Sequence, residues 1–405
     1  MRILRLECRK FLNWKLLLCI VAFSVLFHCV FLEYRLYPDG SAEAAADVEL
    51  AGELMEKTGP VLPLSEWYLL DEKREEQVKK LDAVVGENEV LKKYGITDWE
   101  EQEQALSELL DRLNEGKITD EETKLLDEIN RIHFESNLED TFLLQMIDYY
   151  RESLKEGTGS FGVAGEDVQE TIREKYGSGY SQDYINRMTK LCTRQEISLL
   201  PFSTLNYVQS DLPGVGLLLI VSCMLLILPR QIRERLDGVE ALHVSTRTGR
   251  RIWDRQFQAA LCMGGVLSLI QLAVYAVILW KKGIFQFVSC PASGHGVDDL
   301  WFDMSFGAYL VIYFAMIFLY GLIASALMHL ISRKVPNYIT GFAAAVPVVL
   351  LLGILDFRFN SGLFELRGSM SDAWMPVIMA GLLLLLTAAV AFGMHINDRK
   401  KDVRG

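Results

Sequence analysis

The chain has 405 residues, is 51% hydrophobic and carries a formal charge of −12. Nucleic-acid binding needs a basic footprint, which this balance does not supply. The charge is unevenly spread: residues 34–211 hold 39 acids against 19 bases, a net of −20, and the rest of the chain has a net of +8.

Residues 1–14 read as a short amphipathic helix, because Ile3, Leu4, Leu6 and Phe11 alternate with basic residues. Such a segment lies in the headgroup plane or serves as a plain positive flank. Six apolar runs follow, near Leu16–Leu32, Leu212–Leu228, Ala259–Trp280, Phe306–Ile331, Tyr338–Leu355 and Trp374–His395. About 20 apolar residues cross a bilayer as a helix. Their interiors contain no Asp, Glu, Lys or Arg. The first run resembles a signal peptide in its basic start, but it is long for one. Ala42 and Ala44 lie too far downstream for cleavage, so an uncleaved anchor is expected.

The acidic segment 34–211 is expected to be helical. Thr97 with Glu100 and Thr119 with Glu122 are spaced as capping boxes. Apolar residues at helical spacing mark helices through Trp99–Leu113, Leu125–Ile132 and Phe142–Tyr150, with another over Ser65–Val85. Gly157, Gly159, Gly162 and Gly165 interrupt, and helical character resumes over 166–195. No strand pattern and no internal repeat is evident. A compact globule and an extended helical hairpin both fit.

Short loops set the orientation. Arg2, Arg5, Arg9, Lys10 and Lys15 precede the first run. Seven arginines, Arg230, Arg233, Arg235, Arg247, Arg250, Arg251 and Arg255, separate the second from the third. Arg333 and Lys334 follow the fourth, and Arg399, Lys400, Lys401 and Arg404 follow the sixth. The other side offers only Lys281, Lys282, Arg358 and Arg367 in its short loops. Basic loops stay cytoplasmic. Both termini are therefore expected in the cytoplasm of a multi-pass plasma-membrane protein, with the acidic segment outside.

The fold class expected is all-α and polytopic, with six transmembrane helices and a large, mostly helical extracytoplasmic domain between helices 1 and 2. The divisions are a cytoplasmic amphipathic segment 1–14, helix 1 at 15–33, the outer domain 34–211, and helix 2 at 212–229. A cytoplasmic loop 230–257, helices 3–6 within 258–396 and a cytoplasmic tail 397–405 complete the chain. Gly264 with Ser268, Gly321 with Ser325, and Gly341 with Ala345 put small residues four apart, a spacing that admits close helix packing.

Catalytic patterns are missing. There is no GxxxxGK[ST], no HExxH, no GxSxG and no SxxK. The histidines are scattered. His28 and His329 fall within apolar runs and read best as neutral side chains bonded to a neighbouring helix. Asp298, Asp299 and Asp303 read as a solvated loop, or as a loose cation site. Cys192 and Cys290 read as two separate thiols, or as one bridge. The chain is not expected to be an enzyme or to hold a cofactor or metal.

By its own residues the arginine loop reads either as an amphipathic helix that presents polar side chains to a partner or as a structured, positively charged linker. Ile232, Leu236, Val239 and Leu242 form one apolar stripe at helical spacing, with Glu234, Asp237 and Glu240 on the other side. The run Glu234-Arg235-Leu236-Asp237-Gly238, then Leu242, then Ser245-Thr246-Arg247-Thr248-Gly249-Arg250-Arg251, ending at Arg255, resembles the cytosolic loop of ABC-transporter permeases of the type-2 exporter class. The layout is similar too, as in many permeases of low-GC Gram-positive bacteria.

The resemblance implies an exporter subunit without ATPase activity of its own. Separate cytosolic ABC ATPase subunits would bind ATP, dock on this loop and drive motion. A second permease subunit, identical or different, would complete the pathway, and residues 1–14 would be its interfacial elbow in the lipid headgroups. Carried over by position, the ATPase-coupling residues would be Glu234, Gly238, Leu242, Arg247, Gly249, Arg250 and Arg255. His243 replaces a second leucine and Arg255 a final lysine, two departures from the pattern. The substrate implied is apolar or amphipathic, such as a peptide, an antibiotic or a lipid-like molecule, since the apolar runs hold no charge. A membrane-anchored sensor or envelope assembly factor, with ligand-binding outer helices, is the alternative.

Overall fold

In the computed structural model, residues 2–32, 42–133, 138–155, 181–192, 194, 196–239, 252–294, 300–360, 363–366 and 370–403 are described. In chain order the helices are α1 (Arg2–Arg9), α2 (Trp14–Phe27, continued by a π-helical turn His28–Leu32), α3 (Ala42–Thr58), α4 (Tyr68–Glu87) and α5 (Glu89–Lys93). They continue as α6 (Trp99–Asn114), α7 (Asp120–Arg131), α8 (Leu138–Lys155), α9 (Gln182–Cys192) and α10 (Phe202–Leu236). The last four are α11 (Ile252–Lys281), α12 (Phe306–Ser332), α13 (Tyr338–Asn360) and α14 (Met370–Val403). Two short strands, β1 (Val61–Pro63) and β2 (Glu196–Ser198), pair antiparallel with Leu62 opposite Ile197. Three residues each are too few to show alternation, which is why the sequence reveals no strand.

Six helices are long and apolar enough to cross a membrane: Trp14–Leu32, Ser203–Leu236, Ile252–Lys281, Phe306–Ser332, Tyr338–Arg358 and Met370–Ile396. The chain is a mostly helical, multi-pass membrane protein. It divides into two compact units, the first made of 1–37, 206–288 and 307–405, the second of 38–205 and 289–306.

In the first unit α10 is central: 72% of its apolar window is buried, against 11% for α14 and 17% for α2. Close approach is made by the small residues. A Cβ on Gly264 of α11 would collide with Ser325 of α12, and one on Gly321 of α12 would collide with Ser268 of α11 and Leu219 of α10. The two serines donate their hydroxyls to the carbonyls of Gly264 and Gly321 one turn back, each at 2.8 Å. They thereby pack as small, satisfied groups. Two of the three four-residue pairs read from the sequence thus face each other across one interface.

In the second unit Leu81, Val85, Leu91, Ile96, Trp99, Leu109, Leu125, Leu126, Ile129 and Ile132 form a common core contributed by α4 through α7 and their connections, joined by Leu144 of α8. These described elements make a packed core, not an isolated hairpin. Thr119 and Glu122 form the expected capping box. At the other predicted box the cap is Asp98, whose carboxylate accepts from the Glu101 amide at 2.9 Å, and Thr97 instead donates to Glu101. Asp47 is buried and accepts from the Tyr150 hydroxyl at 3.0 Å. His133 stacks on Trp99 with ring centroids 4.5 Å apart, and burial pushes its pKa down to about 4 although Glu103 lies 3.3 Å away. The imidazole is therefore neutral at pH 7.

The segment 289–306, between α11 and α12, belongs to this second unit. Arg187 of α9 donates to the Leu300 carbonyl at 2.8 Å and to Asp303 at 2.8 Å. Lys190 reaches Asp303 at 2.6 Å, and Arg194 also pairs with it. Burial works to raise the Asp303 pKa, but bonds from Lys190 and Arg187 outweigh it and hold the carboxyl well below the usual range. Asp303 is thus an anchor and not a free loop acid; Asp298 and Asp299 lie outside the described residues. Cys290 is a free thiol beside the Met55 sulfur at 3.6 Å, and burial pushes its pKa up to about 11.

Candidate functional site

The sequence directs attention to the end of α10 and the loop beyond it. Proline at 229 leaves α10 unbroken, and the helix runs to Leu236. Gly238 then takes φ +71, a left-handed conformation that glycine adopts freely and that ends helices. The stripe expected over Ile232–Leu242 is therefore not a separate helix at its start: Ile232 is buried within α10, where a Cβ on Gly341 of α13 would collide with it. Tertiary packing has extended the membrane helix into the segment that patterning assigned to the loop. Leu242, Arg247, Gly249 and Arg250 lie outside the described residues.

The last two turns of α10 carry a dense polar knot. Arg230 pairs with Glu7 of α1, and both side chains are almost wholly buried. The guanidinium lies over the Phe11 ring, 4.3 Å from its centroid. One turn on, Glu234 accepts from Lys10 at 2.8 Å through one carboxylate oxygen and from Gln256 of α11 at 2.8 Å through the other. It also stands 3.3 Å from Arg230. Gln231 donates to Gln256 at 3.3 Å and accepts from Ser332 at 3.1 Å, while His329 of α12 lies 3.5 Å away.

Arg235 donates to the carbonyls of Arg333, at 2.6 Å, and of Val335. These carbonyls lie just past the end of α12, where unpaired acceptors and the helix dipole favour a cation. Arg333 in turn stacks over Trp253 at 4.4 Å. His395 of α14 bonds Asp254 of α11 at 3.0 Å. Five helices, α1, α10, α11, α12 and α14, are thereby held at one end by charge-assisted bonds. Burial works against the Lys10 ammonium, but its bonds to Glu234 and Glu7 outweigh that and raise its pKa.

Of the residues singled out from the sequence, Glu234 is the hub of this knot, Gly238 ends α10, and Arg255 is exposed and donates to Gln258 at 2.8 Å. Glu7, Lys10, Gln231 and Gln256 carry equal weight and were not singled out. Glu7 was the one available signal: a lone acid in a basic amphipathic segment. Among the described residues no three His, Cys, Asp or Glu side chains are placed to hold a metal ion. The bonds of the knot tie the ends of these helices to one another.

No protein-family model, curated protein or solved structure matches the chain.

Proposed function

We propose that the chain is the membrane-spanning permease subunit of an ATP-driven exporter, moving an apolar or amphipathic substrate out of the cell. The observation that carries this reading is the knot around Glu234. Force applied to the arginine-rich loop that leaves α10 and enters α11 reaches Glu234 and Gln256 first. From there it passes to α1 through Lys10 and to α12 through Gln231 and Arg235. A rigid joint at the base of a loop is what converts docking of a motor into a rigid-body movement of helices. In this reading the loop is cytoplasmic, as its arginines argue. Both termini share that side, the second unit lies outside, and a separate ATPase binds ATP.

The test is co-purification of the full-length protein with an ATP-hydrolysing subunit. Arg247→Glu together with Arg250→Glu is expected to abolish that association while the thermal unfolding of the permease is unchanged. Retention of the ATPase and of export in the double variant would overturn the reading. The independent core of the second unit favours one other reading, a membrane-anchored sensor or assembly factor. That reading predicts no ATPase partner for the wild-type chain.

A further inference from the structure

Helix α1 packs along α11, and its two sides differ in what they meet. Glu7 and the nearby Phe11 are buried against Arg230. Lys10 is engaged by Glu7 at 2.7 Å and Glu234 at 2.8 Å. Glu7 is the only acid in the first fifteen residues, and it faces inward. The other side keeps its cations. Arg5 and Arg9 lie one turn apart, a spacing that sets side chains next to each other on a helix. Both are exposed, and neither has an ion-pair partner among the described residues.

Apolar side chains flank these arginines. Ile3, Leu6 and Leu12 are exposed, Leu6 by 59%. Trp14 is exposed by 69%, and the Lys15 ammonium lies 5.8 Å from the centre of its ring. Trp14 also begins α2, which is long and apolar enough to cross a membrane. Only Lys10 to Asn13 separate α1 from it. The covalent chain therefore holds α1 close to where α2 enters the bilayer. Tryptophan and long basic side chains at the end of a span belong to the headgroup layer.

We propose that the exposed side of α1 docks on anionic phospholipid. Ile3, Leu6 and Leu12 enter the boundary between head groups and acyl chains, and Arg5 and Arg9 together hold one head-group phosphate. A guanidinium presents paired donors that match phosphate oxygens. A zwitterionic head group brings its own cation, so two unpaired arginines favour the anionic class. The inner side of the same helix carries Glu7 and Lys10, so the docked lipid steadies the helix that these residues bond to α10. The inference rests on α2 crossing the membrane and not on the exporter reading.

The experiment titrates fluorescently labelled phosphatidylglycerol onto the full-length protein in a neutral detergent, with equally labelled phosphatidylcholine as the comparison. Phosphatidylglycerol is expected to bind saturably and about tenfold more tightly than phosphatidylcholine. Arg5→Gln together with Arg9→Gln should weaken it about tenfold or more and bring the two lipids close to equal affinity. The double variant should unfold at the wild-type temperature, because both side chains are exposed and unpartnered among the described residues. Lys281→Gln, which removes an exposed cation at the far end of α11, should leave the affinity unchanged. Equal affinity for the two lipids in the wild-type chain, unchanged affinity in the double variant, or the same loss in Lys281→Gln would each overturn the proposal. Displacement of the labelled lipid by an equal concentration of free glycerol phosphate would assign the arginines to a soluble phosphate ester and overturn it as well.

Discussion

Glu7 sits among five basic residues in the first fifteen and pairs with one of them, Lys10, at 2.7 Å. Its second partner is Arg230, more than two hundred residues away, and that pair is buried beside Phe11. A buried pair is weak evidence for net stability, but removing one member leaves an uncompensated charge. Glu7→Gln is therefore expected to cost roughly 3 kcal/mol, with Glu234 only partly replacing the lost partner. The measurement is thermal unfolding of the full chain together with hydrogen exchange over residues 2–13; unchanged values would show that the pair is dispensable. Helix capping makes the same point about range. Thr119 and Glu122 were readable because both partners lie within one turn. At 97–101 the observed cap is Asp98, whose full carboxylate sits at the helix N-terminus, in place of the expected Thr97 with Glu100.

Helices α11 and α12 meet through glycine and serine, residues whose spacing admits close packing without naming a partner. The spacing of Gly264, Ser268, Gly321 and Ser325 marks a face where backbones can approach. Only the packed bundle shows that Gly264 meets Ser325 while Gly321 meets Ser268. Gly264→Val forces side-chain atoms into a filled interface, at an expected cost of about 1–3 kcal/mol. Gly393→Ala, where a Cβ meets open space, should be neutral or slightly stabilising. Equal unfolding midpoints for the two variants would contradict the packing described. The end of α10 was less legible. Pro229 and the polar residues after it look like a boundary, yet the knot and the seat of Ile232 carry the helix two turns further.

For the whole molecule, the largest difference between expectation and structure concerns which segments build the second unit. Residues 34–211 were expected to form a domain of their own, and residues 289–306 add to it. Arg187 joins the two segments with bonds to Leu300, Asp303 and Ser293. Arg187→Ala is expected to raise hydrogen exchange across 289–306 several-fold while leaving α6 and α7 protected. Acid should do the same. The folded Asp303 pKa lies below its ordinary value near 4. Its contribution is therefore complete at neutral pH and declines as pH falls below about 4. Protection over 289–306, corrected for the intrinsic pH dependence of exchange, that does not fall between pH 7 and about pH 2 would count against this anchor.

Length, apolar runs and the period of side chains by themselves determined that this is a helical, multi-pass membrane protein with six candidate spans and a charged helical insertion. Those signals are local: each depends on residues within a few turns of one another, and burial of an apolar stripe does not need a named partner. Tertiary structure alone decided the rest. It paired Glu7 with Arg230, made Glu234 the hub of a polar knot, brought 289–306 to Arg187, and buried Asp211 and Asp356. A charge is recorded in the sequence, but its environment is not, because the groups that satisfy it arrive from distant segments when the chain folds.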